Sequence, residues 1–537
     1  MPSSPEQLMT VLRRDLLAFG PEMILILGII LLLVVRMFRG SERVPFGGLA
    51  AVVLGVSLVI AWWQWVSDQS LEPPKTGLSQ TRYLFANMLA YDAFTVYVRL
   101  FLTSFGLFMV GLCLLSGVPD PDDAADFYVL LLGATLGMML MASASHLLMV
   151  YLAVEMASLP SYALAGFLKS RRDSSEAALK YVVYGGGASG LMLYGISMLA
   201  GKCGTGFLPE VAASVAGTFA TQQFDAVTLI SLLLVLAGIG FKLAAVPFHF
   251  WCPDVFAGAS AEVAGFLSVA SKGAAVALLG RVLLAFLGGM HWDGYDLLPQ
   301  AWARVSWYLG PALVFLSALT MTFGNLAAYA QTNLKRLLAY STIAHAGYML
   351  MGLCALTREG VEAALFYLAV YFFMNLGAFA VVAFLRNLIG SEDLSGYGGL
   401  VYRAPWLTVT MAVFLLSLVG IPPLAGYMAK FQIFAAVYHA WQSQQQTGLL
   451  VLLAIGLLNT VLSLFYYVNV IKVMVLHAPT ETPVTKPTSP LALAYTGLLA
   501  LVLLVGIFFW DPLAAGSRKA ISSFHEIHPT VSRPGVP

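Results

Sequence analysis

Apolar runs of 19 to 34 residues alternate with short polar links along almost the whole chain. Fourteen runs stand out: 16–38, 45–66, 90–116, 126–144, 146–168, 175–200, 227–250, 260–288, 305–328, 335–356, 361–386, 405–438, 448–476 and 490–511. A helix needs about 20 apolar residues to cross a bilayer. The pattern therefore predicts an all-α polytopic membrane protein with about 14 transmembrane helices. The clearest links, "DQSLEPPKTGLSQTR" and "PTETPVTKPTSP", are rich in Pro, Thr and Ser. The twelfth run is too long for one straight crossing and contains "GIPPLAG". The seventh carries Pro247 near its end. Both read as broken helices. The first run is too long for a signal-peptide core and lacks a small-residue cleavage site, so it reads as a retained span.

Composition sharpens this reading. The chain is 59% hydrophobic and only 10% charged, against about 25% charge in a soluble domain. It cannot cover a soluble surface. A net charge of +1 says nothing about nucleic acid. Cys113, Cys203, Cys252 and Cys354 are scattered without a CxxC, which argues against a disulfide framework or an iron–sulfur site. Lys and Arg are modestly enriched in the links after odd-numbered spans, among them Arg36, Lys169, Arg171, Arg172, Lys335 and Arg336. The positive-inside rule then places both termini on the non-cytoplasmic side.

An internal repeat adds organisation. "EAALKY" (176–181) opens the sixth span and "EAALFY" (362–367) the eleventh. Lys242 and Lys430 are separated by nearly the same interval, and each sits near prolines. An offset of five spans is odd, so the copies enter from opposite faces, as in inverted-topology repeats. The expected division is an N-terminal three-helix segment (1–125), a first five-helix repeat (126–288), a second (305–476), and a C-terminal loop, helix and tail (477–537).

Four ionisable residues are expected well inside spans: Glu155, Lys242, Lys272 and Lys430. An ionised group at membrane depth costs on the order of 3 kcal/mol or more, so such residues mark function by default. Pro160 follows Glu155, Pro247 follows Lys242, and Pro422 with Pro423 frees the carbonyls of Leu418 and Val419 ahead of Lys430. Ser268 stands four residues before Lys272, on the same helix face. Irregular backbone at this depth is tolerated only where protein or water surrounds it. Burial favours the neutral form of a lysine, and a nearby carboxylate restores the charged form. Glu155 is accordingly expected to tune Lys242 within a proton relay; a purely structural ion pair is the alternative. Lys169, Lys335 and Lys472 read as snorkelling residues near helix ends, and Lys180 fits either reading. His249, two turns after Lys242, and His345 in "STIAHAGY" are relay candidates; a fixed hydrogen-bonded ring is the alternative, above all for His249. "GGGASG" (185–190) matches a dinucleotide fingerprint but has no strand before it. It reads as helix packing by small residues.

Long stretches resemble a known family. They are "SSEAALKYVVYGGGASGLMLYG", "FKLAAVPFHFWCPDVFAGASAEVAGFLSVASKGAA", "NLKRLLAYSTIAHAGYMLMG", "DLSGYGGL" and "GIPPLAGYMAKF". Together they are similar to the antiporter-like membrane subunits of respiratory complex I, and most of all to the N type. The likeness spans about residues 90 to 476. Where the family reads PDVYEGAP, this chain has "PDVFAGAS", which leaves that loop's details open. The resemblance implies two inverted five-helix repeats and a proton path through Glu155, Lys242, Lys272 and Lys430. It implies that NADH, FMN, iron–sulfur clusters and quinone belong to partner subunits, with no cofactor or metal in this chain. It also implies M-type and small K- and J-type membrane partners in a bacterial inner membrane. A subunit of a multisubunit sodium/proton antiporter is the alternative function, and a passive scaffold a third.

Overall fold

The computed structural model describes residues 5–38, 44–67, 81–220, 225–288, 298–479, 488–522 and 524. The long links quoted above, around 68–80 and 480–487, lie outside them. So do Arg39, Arg43, Lys75 and Lys486, four further basic residues of the links between spans.

The chain is helical nearly throughout. Helices α1 (Pro5–Ala18) and α2 (Gly20–Arg36) meet at 79°. Next come α3 (Phe46–Ser67), a small antiparallel hairpin of β1 (Arg82–Leu84) and β2 (Leu89–Tyr91), and α4 (Ala93–Ser116). The first central set is α5 (Ala124–Ser143), α6 (Leu147–Ala165), α7 (Arg172–Cys203), α8 (Leu208–Ala220), α9 (Ala226–Leu243), α10 (Trp251–Gly258), α11 (Ala261–Phe266) and α12 (Lys272–Gly288). The second is α13 (Leu298–Ala328), α14 (Leu334–Cys354), α15 (Arg358–Ile389), α16 (Leu400–Arg403), α17 (Pro405–Val419), α18 (Ala425–Gln444) and α19 (Thr447–Leu476). Helices α20 (Pro490–Val505) and α21 (Trp510–Ile521) close the chain, bent by 84°.

Among the described residues, eleven helices are long and apolar enough to cross a membrane, and the two bent pairs raise this to 13. The remaining predicted span, 405–438, is not one helix: α17 stops at Val419 and α18 starts at Ala425. The last predicted span, 490–511, ends early, and α21 turns aside to pack on α4 and α15. Neither α8 nor the hairpin was foreseen. Pro160 is accommodated within α6 without a break.

Burial orders the helices. The windows of α14 and α15 are 94% buried and that of α11–α12 is 89% buried, against 28% in α19 and 39% in α3 and α7. The core is therefore a central wall of α11, α12, α14 and α15, and the apolar faces of α3, α7 and α19 form the perimeter. Among the glycines of "GGGASG", only Gly185 packs closely; a Cβ there would collide with the Tyr162 hydroxyl. Gly186, Gly187 and Gly190 meet nothing within 4 Å.

More charges are buried than the four expected. Glu22 pairs with Arg99 at 2.7 Å, Glu262 with Arg386 at 2.9 Å, and Lys335 with Glu392 at 2.8 Å. Asp92 pairs with Arg281, whose guanidinium also meets Thr95 Oγ1 at 2.7 Å. Lys335 does not snorkel: it is fully buried and donates to Ala259 O at 2.7 Å. Pairing explains the discrepancy, because the partners of these residues come from distant segments. Lys169 and Lys472 are exposed, as expected.

Both terminal helices lie at the hairpin end. Phe85 N donates to Asp15 Oδ2 at 3.2 Å, and Lys519 Nζ donates to Trp65 O at 2.8 Å. Asp92, just before α4, caps that helix by accepting from Thr95 N at 2.9 Å. Burial pushes its carboxyl up, but the Arg281 charge and hydrogen bonds override this and hold it below the usual carboxylate value. Its contribution to stability is thus fully present above about pH 3.9. That contribution is lost as pH falls through the lower folded value. Arg281→Met should cost about 3–5 kcal/mol by stranding the Asp92 charge. Adding Asp92→Asn should recover most of it. Thermal denaturation of the solubilised protein at neutral pH measures both.

Candidate functional site

The site starts where α9 stops. Asp225 caps its start by accepting from Thr228 N at 3.1 Å, and apolar residues carry it to Lys242 in its last turn. Pro247 then lacks the N–H that would continue the helix. Ala244 takes a left-handed conformation, φ 58°, and the chain re-forms as α10 at Trp251. His249 therefore does not share a helix face with Lys242. Its ring is buried against Phe250 and Phe323, with Nδ1 unpartnered.

The carbonyls at this break find donors in turn. Ala245 N bonds Gly240 O at 2.8 Å, and Trp251 Nε1 bonds Phe241 O at 3.0 Å. Lys272 Nζ bonds Lys242 O at 3.4 Å. Lys272 follows a π-helical turn, Leu267–Ser271, and its ammonium sits 4.3 Å over the Trp251 ring. That turn shifts the register, so Ser268 bonds its own helix at Gly265 O rather than Lys272. Lys242 itself donates to Ser158 Oγ at 3.0 Å, and Ser158 passes a bond to Val154 O at 2.6 Å. The structure thus brings Lys242 and Lys272 together.

Glu155 lies on α6, facing α7. It is half-buried and accepts from Ser189 Oγ of α7, with no direct ion pair to Lys242 among the described residues. Ser158, one turn further along α6, is the group that reaches α9. Glu155 and Lys242 share no bond, but the carboxylate lies near enough to act on the lysine's charge through space.

The second set repeats the device at its own break. Helix α17 ends at Val419, and Gly420 takes φ +86°. Lys430 reaches back from α18 to donate to Val419 O at 2.9 Å, one of the carbonyls that Pro422 and Pro423 release. Its ammonium lies 4.5 Å over the Tyr348 ring. His345 is held between hydroxyls, with Nδ1 2.5 Å from Tyr367 and Nε2 3.2 Å from Tyr467. Tyr467 meets Ser341 at 2.5 Å. Thr342 accepts from Tyr371 at 3.2 Å, and Asn459 bonds Asn325 at 3.0 Å. Both residues stand in neutral hydrogen-bond networks.

Lys180 is not in this buried line. It is 38% exposed, at the end of the molecule away from the hairpin, and pairs with Asp254 at 2.7 Å and Glu176 at 2.9 Å. Asp254 also holds Arg336 at 3.2 Å. These residues, with Arg171, Asp173 and Glu392, line an open cavity of about 480 Å³.

Relatives agree with this architecture. A family profile described as "NADH:quinone oxidoreductase/Mrp antiporter, TM" matches residues 144–463. The chain is 39% identical over 527 residues to NADH-quinone oxidoreductase subunit N of Anaeromyxobacter sp. (strain Fw109-5), covering 95% of this chain and 97% of that one. It is 36% identical over 534 residues to the subunit N of Chlorobium chlorochromatii (strain CaD3), covering 98% of each. The chain belongs to the NADH-quinone oxidoreductase subunit N family. A chain of Thermus thermophilus respiratory complex I with bound Aureothin matches at TM-score 0.70 and 29% identity, covering 92% of this chain and 98% of that one. The Mrp complex of Dietzia sp. DQ12-45-1b shares the fold, with TM-score 0.78 at 20% identity over 96% of this chain and 98% of that one.

For a subunit N relative, the residues missed from sequence are mainly aromatic and neutral: Trp251, Tyr348, Tyr367, Tyr467 and Ser158. One signal was available, the tyrosines at 367 and 371 sharing a helix face inside an apolar run. Gly420 was also unread. A Cβ there would sit 3.0 Å from Lys430 Cδ, whereas one at Gly390, φ +70°, would meet nothing. Either glycine-to-alanine change carries the left-handed cost of about 1–2 kcal/mol. Gly420→Ala should lower the melting midpoint further than Gly390→Ala, because it also displaces Lys430. Equal shifts would refute that seating of Lys430.

Proposed function

We propose that the chain is a proton-translocating membrane subunit of a bacterial NADH-quinone oxidoreductase, complex I, embedded in the inner membrane. The observation that carries this is the set of three lysines, Lys242, Lys272 and Lys430, buried in the spans and held by hydroxyls, carbonyls and rings. None of the three has a carboxylate in contact among the described residues. An ammonium held by neutral groups can lose its proton without leaving an unpaired buried carboxylate. NADH oxidation, with FMN and iron–sulfur clusters, and quinone reduction belong to partner subunits. M-type and small K- and J-type subunits are the membrane neighbours.

The proton path runs from Glu155 and Ser158 to Lys242 and Lys272, then through the His345–tyrosine group to Lys430. The charged cavity around Lys180, Asp254 and Arg336 forms its aqueous mouth. His249 lines the break without a bonded route to Lys242. The two five-helix repeats, 126–288 and 305–476, support this reading through Tyr181 and Tyr367. These match in "EAALKY" and "EAALFY", and each packs beside its half's buried base, Trp251–Lys272 or His345. A sodium/proton antiporter subunit would use the same charges. The near-full-length subunit N relatives favour complex I. Both termini lie on the non-cytoplasmic side in this reading, supported by the terminal helices sharing the hairpin end.

Proton pumping by the assembled complex in vesicles, driven by NADH, tests the relay. Glu155→Gln, Lys242→Ala and Lys242→Arg should each lower pumping roughly tenfold or more, since arginine keeps its charge and does not release the proton. Lys472→Ala, at an exposed helix end, should match the parent. Full pumping by assembled Lys242→Ala would remove Lys242 from the path. For orientation, an impermeant thiol reagent applied from outside should label Ser522→Cys and spare Asp173→Cys. Labelling of both would reject the assigned sidedness.

A further inference from the structure

Two of the three buried lysines share an arrangement that the third lacks. Lys272 bonds a carbonyl released by the α9 break and lies over the ring of Trp251. Lys430 bonds a carbonyl released by the α17 break and lies over the ring of Tyr348. The rings come from different elements, α10 and α14, and each is fixed at its far edge. Trp251 stacks on Tyr181 at 4.2 Å and 7°, and its indole N–H bonds Phe241 O. The Tyr348 hydroxyl bonds Gly456 O at 3.2 Å and Thr460 Oγ1 at 3.1 Å. Both rings are almost wholly buried.

An ammonium has three donors and no acceptor. Away from water, a single carbonyl leaves most of its charge unsolvated. A carboxylate would solve this but would hold the proton in a tight pair. A ring face attracts the cation through its quadrupole and adds no opposite charge. It steadies the loaded lysine and loses little when the proton leaves.

We propose that Trp251 and Tyr348 are positioning residues whose ring faces, each set opposite a carbonyl freed by a helix break, form matched seats for the protonated forms of Lys272 and Lys430. This rests on the reading of these lysines as proton carriers. Tyr348 need not donate a proton itself, because its hydroxyl points away to α19. Trp251 also ties the break to the cavity mouth, since Asp254 lies one turn further along the same short helix.

Fluorination of the ring tests the seats. Fluorines drain the quadrupole while nearly preserving shape, so a packing role leaves the series flat. The complete complex in vesicles is assayed for proton pumping and NADH oxidation together. With Tyr348→Phe as the reference, mono-, di- and trifluorinated phenylalanine at that position should lower pumping in steps. Fluorinated tryptophans at position 251 should do the same. Complete loss of either ring face, as in Tyr348→Leu or Trp251→Leu, should slow pumping roughly 2- to 30-fold, the range that cation–π strength allows. A flat fluorine series at both positions overturns the proposal. Parental pumping by Lys272→Ala and Lys430→Ala would instead overturn the proton-carrier reading beneath it.

Discussion

A backbone carbonyl released from a helix inside a membrane has no water to accept from, so it must find a donor within the protein. In this chain that constraint organises the centre of the molecule. Prolines stop α9 at Leu243 and α17 at Val419, and the freed carbonyls are answered by Trp251, Lys272 and Lys430. The broken helices and the buried lysines are thus one arrangement. Each break supplies the acceptor that makes a lysine affordable at depth, and each lysine supplies the donor that makes the break tolerable.

The two halves meet that constraint with different chemistry. The first sets Glu155 against Ser189, Lys242 against Ser158, and Lys272 against the Lys242 carbonyl. The second keeps Lys430 alone and surrounds His345 with Tyr367, Tyr467 and Ser341. Thr342 and Asn459 stand in neutral networks. One half sets its buried lysines near a carboxylate and serines, and the other sets an imidazole among hydroxyls. The central wall of α11, α12, α14 and α15 keeps lipid away from both.

The other buried charges have a different character. Glu22–Arg99, Asp92–Arg281 and Glu262–Arg386 are direct ion pairs, the last two bidentate through both terminal guanidinium nitrogens. Such pairs fix helices in place, and removing one partner strands the other. The difference between a lysine on neutral groups and an arginine on a carboxylate separates the candidate relay from its frame. Arginine's rigid fork and permanent charge suit the frame.

The sequence by itself determined the membrane class, most of the crossings, the two breaks and the depth of Lys242, Lys272 and Lys430. Apolar length and proline are local properties, legible along the chain. It also made the freed Val419 carbonyl visible, because a proline's missing N–H acts four residues back. What it did not contain was pairing. Lys335 looked like a snorkelling end residue until Glu392, far along the chain, came beside it. That Ser158, rather than Glu155, bonds Lys242 followed from how α6 turns toward α9. The π turn before Lys272 moved that lysine off the face its spacing implied and onto Trp251. Charge, helix length and breaks are written residue by residue. Which side chain meets which is decided only when distant helices pack, because a contact depends on the rotation and depth of two elements that the local pattern does not fix.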